Sequence, residues 1–410
     1  MAKADHGKGV QRDVGIVLSG GGAFAAYEAG VMRAILSGET SATGYQTVDP
    51  GIITGTSAGA LNAALMVSRL DSGVTQALDY LERVWLEDLA SRPPFGDNGV
   101  FRFRLDPLRF FNPGTLASHP FRPFADLASD GASLARTLVR RGSNFVLSTG
   151  KIATRAMGLM DMAALIAADA LPATLRRVLD LKALERSERT ITVAAANWTT
   201  GSIVLFANQD LAGEHGYEAV RASAAIPGIF QPIMIGDNIY MDGGLIMNTP
   251  LKPAIDAGAS TLHVLYVDPL VRNIPSTKLD STLDIFQRAM AISFAGTTNR
   301  DIETAAQINE GLRLRAGGEK KSSIVLSKKT IAGFERRMRA ASAPRRLRPL
   351  TIHRYNPQQD LGNGMGILDF SRDAIKALIE RGFQDGIRHD CATSGCVIPE
   401  SAAAEERPLN

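Results

Sequence analysis

Cysteine is almost absent from this 410-residue chain, and histidine is scarce: two of the first and six of the second. Both cysteines, Cys391 and Cys396, lie near the C-terminus, so no disulfide framework can staple the body of the fold. They read as two tail thiols without a role, or as a bridge in an oxidising compartment. No run of about 18 apolar residues occurs, so no helix is expected to span a bilayer. The longest candidate, Met157 to Leu171, is interrupted by Asp161 and Asp169 and reads as a buried or interfacial helix. Residues 1–13 are polar and lack the apolar core of a secretory signal, which makes the cytoplasm the expected location. Neither sign of charge dominates: a net charge of +3 argues against nucleic acid as a partner. No internal repeat is visible.

What is present is an ordinary globular composition, 45% hydrophobic and 21% charged. Val14 to Leu18 reads as a short buried strand that ends in Ser19-Gly20-Gly21-Gly22, and the pattern turns helical from Ala23 to Leu36. Residues 51–54 read as a second strand, broken at Gly55 and followed by a helix through Ala60, Leu61, Ala64 and Leu65. Strand, glycine turn and helix, twice over, predict an α/β fold with a largely parallel sheet. Further strands are expected at Ile191–Ala196, Ser202–Phe206, Thr261–Val267 and Leu350–Tyr355, with a long helix over 281–315. A last helix should begin at Asp369 or Ser371 and stop at Gly382. The final 20 residues read as a disordered tail.

The chemistry concentrates in the glycine turns. A serine hydroxyl is a poor nucleophile until something exposes it and something takes its proton. Gly55-Thr56-Ser57-Ala58-Gly59 does the first job, because small flanking residues permit a tight strand-to-helix turn with the hydroxyl at its tip. Three successive glycines after a strand, Gly20 to Gly22, can present several backbone amides to an oxyanion. The same residues match a relaxed dinucleotide fingerprint, Gly20-x-Gly22-x-x-Ala25, but the acid it needs is represented only by Glu39, in a loop with no strand before it. For the base, His119 and His215 lie in loops and stay open, His263 and His353 read as packed in strands, and His6 and His389 are terminal. Asp242, followed by Gly243 and Gly244, is the carboxylate candidate: either an acid ending a strand at a site or the cap of an ordinary turn.

Gly20-Gly21-Gly22, the turn Gly55 to Gly59 and Asp242-Gly243-Gly244 together resemble the patatin-like phospholipase family. Arg221 to Pro232 (RASAAIPGIFQP) is similar to the family's segment upstream of its aspartate, and Asn248-Thr249-Pro250 follows as in many bacterial members. The resemblance runs over about residues 14 to 310 with gaps. It implies a three-layer α/β/α sandwich and a Ser-Asp dyad without histidine: Ser57 attacks an ester carbonyl and Asp242 accepts its proton. Amides of Gly20, Gly21 and Gly22 would hold the oxyanion, with no metal or cofactor. One departure stands out. Bacterial members usually carry Arg or Lys and then Gly after the triplet, where this chain has Phe24 and Ala25.

Residues 91–187 read as a helical insertion in a 14–310 catalytic domain, with 311–389 a C-terminal extension and 390–410 the tail. The insertion has a Phe-rich start (Phe95, Phe101, Phe103, Phe110, Phe111, Phe121, Phe124), and between 100 and 160 nine Arg or Lys face three acids. A lid touching anionic lipid and an internally packed subdomain are both open readings. Arg336 to Arg348 is a second basic stretch, read as a solvated loop or a membrane-docking segment. The expected partner is a lipid or acyl-ester substrate, with peripheral membrane contact a hypothesis; the alternative is a non-catalytic lipid- or polymer-surface binding protein on the same fold.

Overall fold

The computed structural model describes residues 9–91, 98–104, 126–132, 135, 166–267, 282–316, 348–362 and 364–399. Its centre is a mixed eight-stranded sheet. Five strands run parallel: β1 (Gln11–Leu18), β2 (Pro50–Thr56), β5 (Thr190–Asn197), β9 (Thr261–Leu265) and β10 (Thr351–Tyr355), in the order β10-β9-β1-β2-β5. β6 (Ser202–Ala207) and β8 (Asn238–Asp242) pair antiparallel with β5, and β7 (Ile233–Ile235) pairs antiparallel with β8. A separate two-stranded piece joins β3 (Arg102–Phe103) to β4 (Ile166–Ala167).

Strand alternation explains the layers. Ile16, Leu18, Ile53, Ile191 and Val193 point into one core, and Val17, Ile52, Leu262, Val264 and Ile352 into the other. The first core is covered by α1 (Ala26–Leu36), α2 (Ala58–Leu70), α3 (Val74–Arg83) and α10 (Arg372–Ile387). The second is covered by α8 (Leu251–Ala257) and by Ile302 and Ala305 of α9 (Thr282–Ala316). The result is the three-layer α/β/α sandwich. Between these elements lie α4 (Ala170–Val178), α5 (Leu181–Arg186), α6 (Glu214–Ser223) and α7 (Gly244–Met247), and α11 (Cys391–Ser394) closes the order. Among the described residues no helix is long and apolar enough to cross a membrane.

Several expectations need correction. β2 does not break at Gly55 but continues through Thr56, because its pairing with β5 runs to Thr56 and Ala194. The helix expected over 157–171 falls outside the described residues as far as 165; Ile166–Ala167 is extended, and α4 starts only at Ala170. The last helix begins after Ser371 as expected, yet runs past Gly382 to Ile387. Gly382 is a contact glycine: a Cβ there would sit 1.9 Å from the Tyr27 carbonyl oxygen, and one at Gly30 would sit 1.9 Å from that of Ile379. The helices α1 and α10 touch backbone to backbone, and only glycine allows it. The segment expected as an extension supplies β10 to the main sheet. The first part of the expected tail is ordered, with α11 followed by a bridge between Ile352 and Val397.

Candidate active site

Strand register builds the site. On one side of β5, β2 ends with Thr56 opposite Ala194, and β8 ends with Asp242 opposite the next residue, Ala195. β6 occupies the other side of β5. The two strands therefore meet tip to tip, and the residues at their ends, Ser57 and Asp242, come together across 185 positions of sequence.

Ser57 has φ 56° and ψ −129°, one of two non-glycine residues described with positive φ. This strained geometry costs of order 1–3 kcal/mol and turns the chain sharply from β2 into α2. The flanking glycines make it feasible. A Cβ on Gly55 would lie 2.3 Å from the Gly59 oxygen, and one on Gly59 would lie 2.4 Å from the Ser19 oxygen. The Ser57 amide is held in turn, donating to Ser223 Oγ at 2.8 Å while that hydroxyl donates to the Ala194 carbonyl at 2.7 Å.

Ser57 and Asp242 are both buried, and the Ser57 side chain lies close enough to the Asp242 carboxyl to favour its ionised form. Burial raises the Asp242 carboxyl to about 7, opposed by the neighbouring Ser57 side chain and by the hydrogen bond from the Gly244 amide at 2.7 Å. Gly243 lets this turn pack on β5, since a Cβ there would meet the Ala194 oxygen at 2.2 Å.

The glycine triplet lies beside this pair with three different duties. Gly20 is a close-approach position: a Cβ would lie 2.8 Å from Ser57 Cβ and 2.5 Å from Asn248 Oδ1. Its amide donates to the Asn248 carbonyl at 3.2 Å, so it is already engaged. Gly21 and Gly22 open the 3₁₀ turn Gly22–Ala25, whose first N–H groups have no partner inside the turn. The missing side chains of Gly21 and Gly22 admit Val267 and Ile367. Ile367 packs over part of Gly22, and Glu39 follows the end of α1 rather than a strand, so the acid that a dinucleotide fingerprint requires is not in place.

The departure at Phe24 has a packing explanation. Its ring is buried and fills the space beside Gly362 and Gly366, where a Cβ would come within 3.2 and 2.7 Å of ring carbons. An apolar anchor for the C-terminal segment thus stands where a cation was expected.

Beneath the triplet lies a polar network that motif reasoning missed. Glu28 of α1 is fully buried; one carboxyl oxygen accepts from the Ser19 amide at 2.8 Å and the other from Asn62 Nδ2 at 3.0 Å. Asn62 Oδ1 accepts from Trp85 Nε1 at 2.8 Å. Burial raises the Glu28 carboxyl to about 8 against these hydrogen bonds. Ser223 and Asn248 fall in segments that carry the family resemblance, but their contacts to Ser57 and Gly20 were not read, since nothing in their local spacing announces a partner so far along the chain.

Beside Ser57 opens a cavity of about 550 Å³, its open mouth included. Ser57 supplies its polar group, and the walls are apolar: Leu61, Trp85, Leu175, Val220, Phe230 and Phe370 are among them. A second, larger cavity, about 940 Å³ with its open mouth included, shares Leu171, Ala224 and Phe230 with it and carries Arg102, Arg104 and Arg221.

Among the described residues no histidine joins the pair. His215 is exposed in the first turn of α6, eight residues before Ser223, or about 12 Å along the helix axis. His263 is buried and stacked on His353. His119 lies outside the described residues.

Over 79 residues the chain is 44% identical to a patatin-like phospholipase domain-containing protein of Emericella nidulans, a stretch of 18% of this chain and 10% of that protein. Among solved structures, VipD from Legionella pneumophila is similar at a TM-score of 0.32 and 11% identity, covering 92% of this chain and 66% of that one. The chain thus spans less than two thirds of either relative. The sequence profile described as Patatin-like phospholipase matches residues 16–255, more than half of the chain. With the serine turn, the aspartate and the glycine triplet all inside that stretch, the chain belongs to the patatin-like phospholipase family, a family of lipid acyl hydrolases.

Proposed function

We propose that this protein hydrolyses carboxylic esters of phospholipids or related acyl lipids through a Ser57–Asp242 dyad and an acyl-enzyme. The carrying observation is a strained serine beside a buried carboxyl group in the lining of an apolar cavity. Asp242 takes the Ser57 proton as the hydroxyl oxygen attacks the ester carbonyl, and returns it to the leaving alcohol as the tetrahedral intermediate collapses. Water then attacks the acyl-serine, again with Asp242 as base. The oxyanion falls to the amides of Gly21 and Gly22 together with Ala58, the first residue of α2. Gly20 contributes by close approach, its own amide being bonded to Asn248. The apolar cavity takes the acyl chain. The adjoining cavity with Arg104 and Arg221 suits a polar headgroup of phospholipase A or lysophospholipase substrates, and a lipid aggregate is the expected partner surface.

The test is hydrolysis of a p-nitrophenyl ester and a phospholipid, with fluorophosphonate labelling of the serine. Ser57→Ala should abolish turnover and labelling, and Asp242→Asn should reduce kcat/KM about a thousandfold or more. Full activity in Asp242→Asn overturns the dyad. An unlabelled, inactive wild-type chain would instead favour a lipid-binding role on the same fold.

A further inference from the structure

The two thiols without an assigned role are brought to two histidines at the far side of the sheet. His353 lies in edge strand β10, His389 follows α10, Cys391 opens α11, and Cys396 follows it. One ligand atom from each of the four lies within 4.8 Å of every other. His353 Nδ1 is 3.4 Å from Cys391 Sγ, and His389 Nε2 is 3.5 Å from both Cys391 Sγ and Cys396 Sγ. A tetrahedral zinc with bonds of about 2.3 Å to sulfur and about 2.05 Å to nitrogen requires sulfur–nitrogen edges of about 3.6 Å. The three measured edges fit that tetrahedron.

The surroundings favour a metal over an incidental cluster. The loop is shaped in advance: Asp390 caps α11 through the Ala392 and Thr393 amides, and Gly395 takes the left-handed conformation with φ 67°. The Cys396 amide then returns to the Cys391 carbonyl at 3.0 Å. The Arg354 amide donates to Cys396 Sγ at 3.2 Å, a contact that supports a thiolate. Ser394 Oγ is 3.5 Å from His389 Nδ1, the nitrogen that faces away from the sulfurs, as second-layer support requires. The rings are braced by stacking, His353 on His263 at 5.1 Å and Tyr355 on His389 at 4.2 Å. Both histidines are under a tenth exposed.

We infer that His353, His389, Cys391 and Cys396 form a closed Cys₂His₂ site for a structural divalent metal, zinc by ligand softness and geometry. Binding ionises both thiols and releases two protons to solvent, so two thiolates and one M²⁺ make a neutral centre suited to partial burial. With four protein ligands no position is left for water, which separates the site from the Ser57 chemistry. Its role is mechanical: it clips the C-terminal loop to β10, and through the Ser41 Oγ bond to the His389 carbonyl (2.9 Å) to the turn after α1.

Purified full-length protein should carry about one zinc per chain by elemental analysis. Cobalt added to the chelated, thiol-reduced protein should give the intense visible bands of a tetrahedral thiolate site, displaced by zinc. Cys391→Ser and Cys396→Ser should each lose the cobalt signature, and chelation should lower the melting temperature of the wild type but not of these variants. Should a variant fail to fold, the wild-type cobalt titration decides alone. Absence of tetrahedral cobalt bands from the reduced wild-type protein overturns the site, as does a native chain isolated metal-free with Cys391 and Cys396 joined in a disulfide that reduction and zinc do not replace.

Discussion

In the proposed dyad Asp242 acts as the base, yet it sits where charge is costly. Burial lifts it from the ordinary aspartate value to about 7, so the reactive ionised form predominates only above neutrality. The expected kcat/KM profile rises with pH to a plateau, with its limb near pH 7; a limb near pH 4 would show that burial does not lift the titrating carboxyl. The effect on stability has the opposite slope. For a carboxyl group whose folded value is raised, the folded state binds more protons than the unfolded one, so stability is fullest at low pH. It is lost as pH climbs through the window between the two values. Glu28, lifted to about 8, acts in the same direction, so unfolding free energy should fall between about pH 4.5 and pH 8. Glu28→Gln should flatten that fall while lowering stability at acidic pH, because its amide nitrogen would compete with the Asn62 donor. Denaturant melts at pH 5, 6.5 and 8 measure both effects, and an unchanged slope in the variant rejects the assignment. The turns that hold Ser57 and Asp242 were legible in sequence because tight turns demand glycine at fixed offsets. Glu28 was not, since a carboxylate in a helix announces burial only once its partners from two other segments are known.

At the level of elements, α1 and α10 pack on glycines, and two opposing magnitudes decide what alanine does there. Replacing a mid-helix glycine by alanine gains about 1 kcal/mol of helix propensity. At Gly382 the new Cβ would lie 1.9 Å from a backbone oxygen, which cannot rotate away, so the helices must separate and lose packing along their length. Overpacking typically costs about 1–3 kcal/mol and occasionally more; against a fixed backbone oxygen it reaches the upper end, and the clash wins. Gly382→Ala should melt several degrees lower than wild type in a thermal unfolding scan, and a higher melting temperature would refute the close contact. The sequence reading placed a helix end here because a glycine after an apolar helical pattern is the ordinary stop signal. The pattern cannot separate a glycine that ends a helix from one that admits a neighbour 350 residues away. The strands were easier, since buried parallel strands are short apolar runs between turn residues, and β1, β5, β6 and β9 appear within a few residues of their expected places.

For the whole molecule, the boundary expected after residue 310 followed where the family motifs stop, but the physical unit is larger. Residues 348–399 add β10 to the edge of β9, lay α10 along α1 and set Phe370 against Trp85 with ring centres 6.2 Å apart. Ile367, Leu368 and Phe370 from the same segment wall the cavity beside Ser57, and Phe24 anchors the turn that carries them. The family profile ends at residue 255, so the cavity beside Ser57 is completed by sequence beyond it. A chain ending at residue 347 would bare the apolar faces of α1 and Trp85 and free the edge of β9, both routes to aggregation. It should lose cooperative unfolding and esterase activity together, seen as a broad circular-dichroism melt and recovery mainly in the insoluble fraction. A truncated chain that stays soluble and melts as sharply as the full one would make the segment an appendage. In that case the cavity would have to be walled from elsewhere, and the acyl-chain route proposed through Ile367 and Phe370 would fall with it.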